Sequence, residues 1–191
     1  MANTPINSSD RIPSLEECAR LMVEYCMLPN IAAHSRQVMR VALAIADNLK
    51  NGVSINRNLV VAAALLHDIT KTRALQTRER HDESGGTLLR ELGFARIGEI
   101  VEQHVILLDF NLQEKLDERE IIYYADKRVM HDQIVSLAER VEDLIVRYGF
   151  TEEIKKRIWQ NTSQAYIVEK KIADSMKVDL ETAIRKIQHN S

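Results

Sequence analysis

An imidazole and a carboxylate stand side by side at His67-Asp68, directly after the apolar run Val60-Val61-Ala62-Ala63-Ala64-Leu65-Leu66. A run that apolar is expected inside the protein, and an ionised carboxylate delivered by it is costly unless paired or bound to a metal. Imidazole and carboxylate together suit borderline divalent ions such as iron, manganese, nickel or zinc. One pair does not make a site, so further ligands must come from other elements. His34 falls in the first turn or so of the preceding helix, which a short connection sets antiparallel to the helix ending at His67. Asp126 follows the apolar Ile121-Ile122-Tyr123-Tyr124-Ala125, while His81 opens one helical stretch and His104 closes another. Each residue has a structural alternative. A single helical histidine is more often a hydrogen-bonded surface or core residue, and Asp68 could pair with Arg73. Asp126 beside Lys127-Arg128 could be half of a surface ion pair, worth at most about 1 kcal/mol. His131 and His189 carry only that structural reading.

These residues need a helical scaffold, and the apolar spacing supplies one. Ser14 with Glu17 three residues on is a capping box opening the first helix, which Pro29-Asn30 breaks. A second helix is expected from Asn30 to about Lys50, stopped by Asn51-Gly52, and a third from about Asn56 to His67-Asp68. Residues 70–82 are polar and basic with no sustained apolar face and read as a loop. Helices follow at Glu83–Leu92 and Ala95–His104, then a looser stretch at 105–116. Further helices are expected at 117–130 and 131–148, from Thr151 to about Met176, and from Asp179. Alternating strand patterns are absent. The chain therefore reads as all-α. Residues 1–13 read as a flexible segment, 14–149 as the main domain, and 150–191 as a C-terminal helical extension packed on it.

Composition narrows the function classes. The 191 residues are 45% hydrophobic, enough to bury a core, and the formal net charge is -2. That balance argues against a general nucleic-acid binder, which needs clustered cations, although Lys155-Lys156-Arg157 and Lys170-Lys171 form short basic runs. Cys18 and Cys26 form neither a CxxC pair nor a disulfide framework. No signal-peptide core and no stretch of ~20 apolar residues is present, so a cytoplasmic protein without a membrane span is expected. The Glu-x-x-His signature of di-iron bundles and the HExxH of zinc proteases are both missing.

The ordered set His34, His67-Asp68 and Asp126 resembles the HD-domain superfamily of metal-dependent phosphohydrolases. Leu65-Leu66-His67-Asp68-Ile69-Thr70-Lys71 is similar to the HD-x-x-K form of its phosphodiesterase and nucleotide-hydrolase branches. His81 with Gly85 is similar to their HxxxG segment, and Tyr124-Ala125-Asp126-Lys127-Arg128-Val129 to the segment carrying the last ligand. The resemblance covers roughly residues 28–148 and implies a compact HD-domain helical bundle. It implies that His34, His67, Asp68 and Asp126 bind one divalent metal, and that His81 and His104 complete a second site bridged by Asp68. Iron, manganese, nickel, zinc and magnesium are not distinguished. The Gly-Tyr-Pro segment of cyclic-dinucleotide-specific members and the paired His-His of others are absent.

The activity so implied is hydrolysis of a phosphoester or phosphoanhydride of a small phosphorylated substrate, a nucleotide. Dinucleoside polyphosphates and nucleoside phosphates both fit, with a metal-activated water as nucleophile. Asp68 and Lys71 are the expected catalytic residues. Arg73, Arg78, Arg80 and Arg128 are candidates for gripping further phosphates. The rival reading is a non-catalytic HD-fold sensor or scaffold with a structural metal. Homo-oligomerisation is left open.

Overall fold

The computed structural model describes residues 11–189. Residues 1–10, most of the expected flexible segment, lie outside them. Arg11 and Ile12 are held. The Arg11 guanidinium donates to Glu17 and lies 4.6 Å from the Phe94 ring centroid, and Ile12 packs against the core.

Each early helix starts where local hydrogen bonding favours it. Ser14 caps α1 (Leu15–Glu24) by accepting from the Glu17 N–H, and Pro29 opens α2 (Pro29–Ala46), where its missing N–H costs nothing. Asn56 caps α3 (Arg57–Leu66), accepting from the Asn58 and Leu59 N–H groups. Helix α2 stops four residues short of the expected end because Leu49 bridges to Met176 and the Lys50 N–H donates to the Ser175 carbonyl. Helix α3 is the axis of the core. Leu59, Val60 and Ala62 to Leu66 are all buried, and the three alanines let α1, α2, α6 (Ala95–Val101) and α7 (Glu118–Lys127) approach closely.

The expected loop at 70–82 contains a helix, α4 (Lys71–Thr77). It buries no residue of its own, so no apolar face marked it in the sequence. It ends at Arg78, whose left-handed φ of 64° turns the chain into α5 (His81–Glu91). The helix expected at 131–148 also divides. Residues Val129–Met130 (β1) and Gln133–Ile134 (β2) pair antiparallel, and α8 (Leu137–Tyr148) starts only at the Ser136/Glu139 capping box. Among the described residues the fold is all-α apart from this hairpin of two two-residue strands.

Helix α9 (Glu152–Ser175) packs on α7 and α8, and α10 (Leu180–His189) packs on α2. The buried Lys171 ammonium donates to the buried Glu120 carboxylate at 2.6 Å and to the Asn111 carbonyl, tying α9 to α7. Arg128, just past α7, is held by Glu181 of α10.

Helices α5 and α6 cross where Gly86 faces Gly98. A Cβ on Gly98 would lie 2.6 Å from the Gly86 carbonyl oxygen, and one on Gly86 would lie 2.8 Å from that of Gly98. Neither backbone can yield without moving its helix. Gly98→Ala is therefore expected to destabilise the fold by about 1–3 kcal/mol through overpacking, although alanine is the better helix former by about 1 kcal/mol. Chemical denaturation checks this; a stabilised variant would show that the crossing is looser than its geometry indicates.

Candidate metal centre

Five elements converge on Asp68. The residue follows α3, is 1% exposed, and receives His67 from its own turn, His34 from α2, His81 from α5, His104 from the end of α6, and Asp126 from α7. His67 Nε2 lies 3.4 Å from Asp68 Oδ2 and 3.6 Å from Asp126 Oδ1. His34 Nε2 lies 3.0 Å from Asp126 Oδ1 and 4.0 Å from Asp68 Oδ2. On the other side, His81 and His104 place Nε2 at 3.3 and 3.6 Å from Asp68 Oδ1, and 3.2 Å from each other. The sequence-derived set of six is thus brought together.

The imidazoles are oriented by main chain. His34 Nδ1 donates to the His131 carbonyl at 2.8 Å, His67 Nδ1 to Ala64, and His104 Nδ1 to Val101. A carbonyl can only accept, so each of these Nδ1 atoms carries a proton and Nε2 is left to face the cluster. His67 Nε2 and Asp68 Oδ1 are buried with no hydrogen-bond partner. Buried polar atoms are rarely left so, and their aim at one point is what a metal ion answers. Two ligand atoms about 2.1 Å from a common ion and roughly 90–110° apart lie about 3.0–3.4 Å from each other. Most of the spacings above match. Two groups fit an ion: His34, His67 and Asp68, bordered by Asp126, and Asp68, His81 and His104. The chain thus carries a divalent-metal type of centre.

The electrostatics agree. Burial pushes the Asp68 carboxyl up, but the charges of His67 and Lys71 outweigh it and hold it well below the usual carboxylate range. Asp126 is held low in the same way, burial being outweighed by the hydrogen bond with His34 and by the nearness of His67 and Lys127. Burial would lower His67, but Asp68 and Asp126 raise it to about 10. Burial dominates at His104 and lowers it. Without an ion, His67 is the internal cation of the cluster.

Around this centre the cations are not all those expected. Lys71 donates to Asp68 Oδ2 at 2.7 Å. Arg73 pairs with Glu79, Arg80 with Asp82 and Glu83, and Arg78 forms the left-handed end of α4. Arg128 is buried against Glu181, the Tyr124 hydroxyl and the Val135 carbonyl. None of these four lines the cleft beside the metal centre. Lys127, Arg140 and Arg147 line it instead. The Ser136/Glu139 capping box was the signal that would have placed α8, and with it Arg140, Leu144 and Arg147 on one helical face. His131 also contributes, through its carbonyl.

Comparison with known proteins follows this geometry. The family model described as HD domain matches residues 31–142, and the chain belongs to that family. Two curated relatives are similar to it. The tRNA (cytidine(56)-2'-O)-methyltransferase of Thermoplasma volcanium is 34% identical over 95 residues, 49% of this chain and 26% of that protein. The protein of the same name from Picrophilus torridus is 27% identical over 145 residues, 69% of this chain and 40% of that protein. The matches thus span between a quarter and two-fifths of the length of these relatives. No solved structure matches. Family and relatives both favour an enzyme. They overturn the expected activity: both relatives are named for methyl transfer to tRNA and neither for phosphoester or phosphoanhydride hydrolysis, so phosphohydrolysis of a nucleotide is not carried over. Among the described residues no helix is long and apolar enough to cross a membrane.

Protonated His67 sets a sign for metal uptake. Below pH about 10 it holds a proton in the metal-free cluster, which an incoming ion must displace, so affinity falls as pH falls. Release of one proton corresponds to roughly tenfold weaker binding per pH unit on acidification. Calorimetric titration with Mn2+ in buffers of different ionisation enthalpy counts the protons. Binding independent of pH between 6 and 9 would contradict this arrangement.

Proposed function

We propose that this chain is a divalent-metal HD-domain enzyme module directed at tRNA, receiving a phosphate-bearing part of the RNA in the cleft beside the metal centre. The observation that carries the reading is the pair of partnerless buried atoms, His67 Nε2 and Asp68 Oδ1, in a cluster whose His81, His104 and Asp126 line a cleft edged by Lys71, Lys127 and Arg140. In this reading His34, His67 and Asp68, with Asp126 beside them, would hold one ion, and Asp68, His81 and His104 would hold another. A bound ion supplies positive charge and Lewis acidity to an oxygen ligand. The chain's own residues do the rest. The three carbonyl-fixed imidazoles keep Nε2 on the centre, and Lys71 neutralises the outer Asp68 oxygen at the mouth. Lys127 keeps positive charge at the inner wall, donating to the His104 carbonyl at 2.9 Å. Support for tRNA comes from the names of the relatives, and support for phosphate from the cations. The methyl transfer in those names belongs to whole proteins of which this chain matches a minor part, and no methyl-transfer step is assigned to it.

A net charge of -2 bears on how RNA would be held. Contact through one metal-centred cleft neutralises few phosphates. The slope of log affinity against log salt should therefore be shallow, of magnitude about 2 or less, where a basic surface making 6–10 contacts gives a steep one. Unaltered protein loaded with Mn2+ should bind a tRNA transcript in fluorescence anisotropy and lose it on chelation. Asp68→Ala should lose bound metal by elemental analysis and lose tRNA binding with it. Metal-independent tRNA binding, or full binding by Asp68→Ala, would refute the reading.

A further inference from the structure

Two cavities open against the metal centre and share a wall of Lys71, Arg140 and Leu144. The larger, about 280 Å3, takes His81, His104 and Asp126 from the centre and faces them with the aliphatic Val105, Leu137 and Ile158. The smaller, about 190 Å3, takes His34 and Asp68 and faces them with His131, Arg147 and Tyr148. Both cavities carry three cations, Lys71, Lys127 and Arg140 in the larger and Lys71, Arg140 and Arg147 in the smaller, and the larger adds the more extensive aliphatic wall.

Arg140 stands where they meet, and its hydrogen bonding is incomplete. One terminal nitrogen reaches Asp143 at 3.3 Å, but the buried Nε has no partner. Arg147, seven residues on and so on the same face of α8, is aimed by the same carboxylate through bonds of 2.7 and 2.5 Å to Asp143. Arg147 also approaches His131 Nε2 at 3.2 Å, at the wall of the smaller cavity. Asp143 thus sets the spacing of two guanidinium groups along the cleft. Guanidinium groups so placed match phosphate oxygens.

We propose that the paired cavities bind one nucleotide unit of an RNA strand. The base and sugar occupy the larger chamber, one flanking phosphate lies on Lys71 and Arg140, and the other lies against Arg147. The inference rests on the tRNA-directed reading above and adds which piece of the RNA is held and by what. The larger chamber falls below the 300–1,000 Å3 of sites for drug-sized ligands, so it holds one nucleoside rather than two stacked ones. Its aliphatic wall packs against a base, and the one uncharged polar side chain beside that wall, Thr162, donates its hydroxyl to the Ile158 carbonyl. An enclosed base is an unstacked one, which RNA presents in loops, bulges and ends.

The test uses three probes on the Mn2+-loaded full chain by calorimetry: adenosine 3',5'-bisphosphate, AMP and inorganic phosphate. Affinity should fall in that order. Arg140→Ala should weaken the bisphosphate about 10- to 100-fold, the loss expected of a charge-assisted contact, and Arg140→Lys should recover part of it. Arg147→Ala should erase the advantage of bisphosphate over AMP. Thermal midpoint and metal content of each variant separate a lost contact from a lost fold. Bisphosphate bound no more tightly than phosphate, or equally tightly by a folded, metal-loaded Arg140→Ala, overturns the inference. Metal-dependent tRNA binding that ignores Arg140→Ala also overturns it and leaves the reading above standing. Bisphosphate held through Arg140 while tRNA fails to bind removes the tRNA reading and supports the assignment of the cavities.

Discussion

Asp68 is withdrawn from water to 1% exposure, and a carboxylate so buried has to be matched by positive charge. Lys71 and His67 meet that demand, and three further imidazoles border the same carboxylate. Lys71 reaches back one turn of helix, His67 comes from the adjacent position, and His34, His81 and His104 arrive from three other helices. The fold can be understood as the means of bringing them. Three consecutive alanines in α3 allow its neighbours to come near, and the Gly86–Gly98 contact draws α5 and α6 close enough for His81 and His104 to share one oxygen of Asp68. Loosening either approach would move ligands, not merely thin the core.

How much of this was readable beforehand depended on whether the signal lay in apolar spacing. Apolar spacing marked the buried helices, and His67, Asp68 and Asp126 directly follow apolar runs, where burial and polarity conflict and the sequence advertises the conflict. What escaped lacked such contrast. Helix α4 buries none of its own residues and therefore looked like a loop, and the two-residue hairpin is too short for an alternating pattern. The cations that line the cleft could not be chosen by proximity in the chain. Arg73, Arg80 and Arg128 are spent on carboxylates that sequence gave no reason to pair with them, whereas Arg140 and Arg147 face the cleft because of where α8 lies.

Membership of the HD-domain family and the identity of the reaction are separate matters, as fold and function generally are. The family match agrees with the ligand constellation. The relatives, named for modification of tRNA, break the step from that constellation to nucleotide hydrolysis. What the chain shares with them is a stretch of sequence covering a minority of each. The arrangement of charge around its centre is consequently the firmer guide to what it receives, and that arrangement is one of metal ligands inside and guanidinium groups at the rim.

The imidazoles of His34, His67 and His104 are steered by the carbonyl oxygens of residues 131, 64 and 101. Where metal-binding histidines are steered by carboxylate side chains, one substitution can release a ring. Here the steering groups belong to the peptide backbone and are present whatever side chain evolution installs at those three places. Ligand orientation in this protein is thus inherited with the path of the chain itself. What distant descendants must keep for these three nitrogens is the backbone path that carries the carbonyls of residues 64, 101 and 131, and not any hydrogen-bonding side chain there.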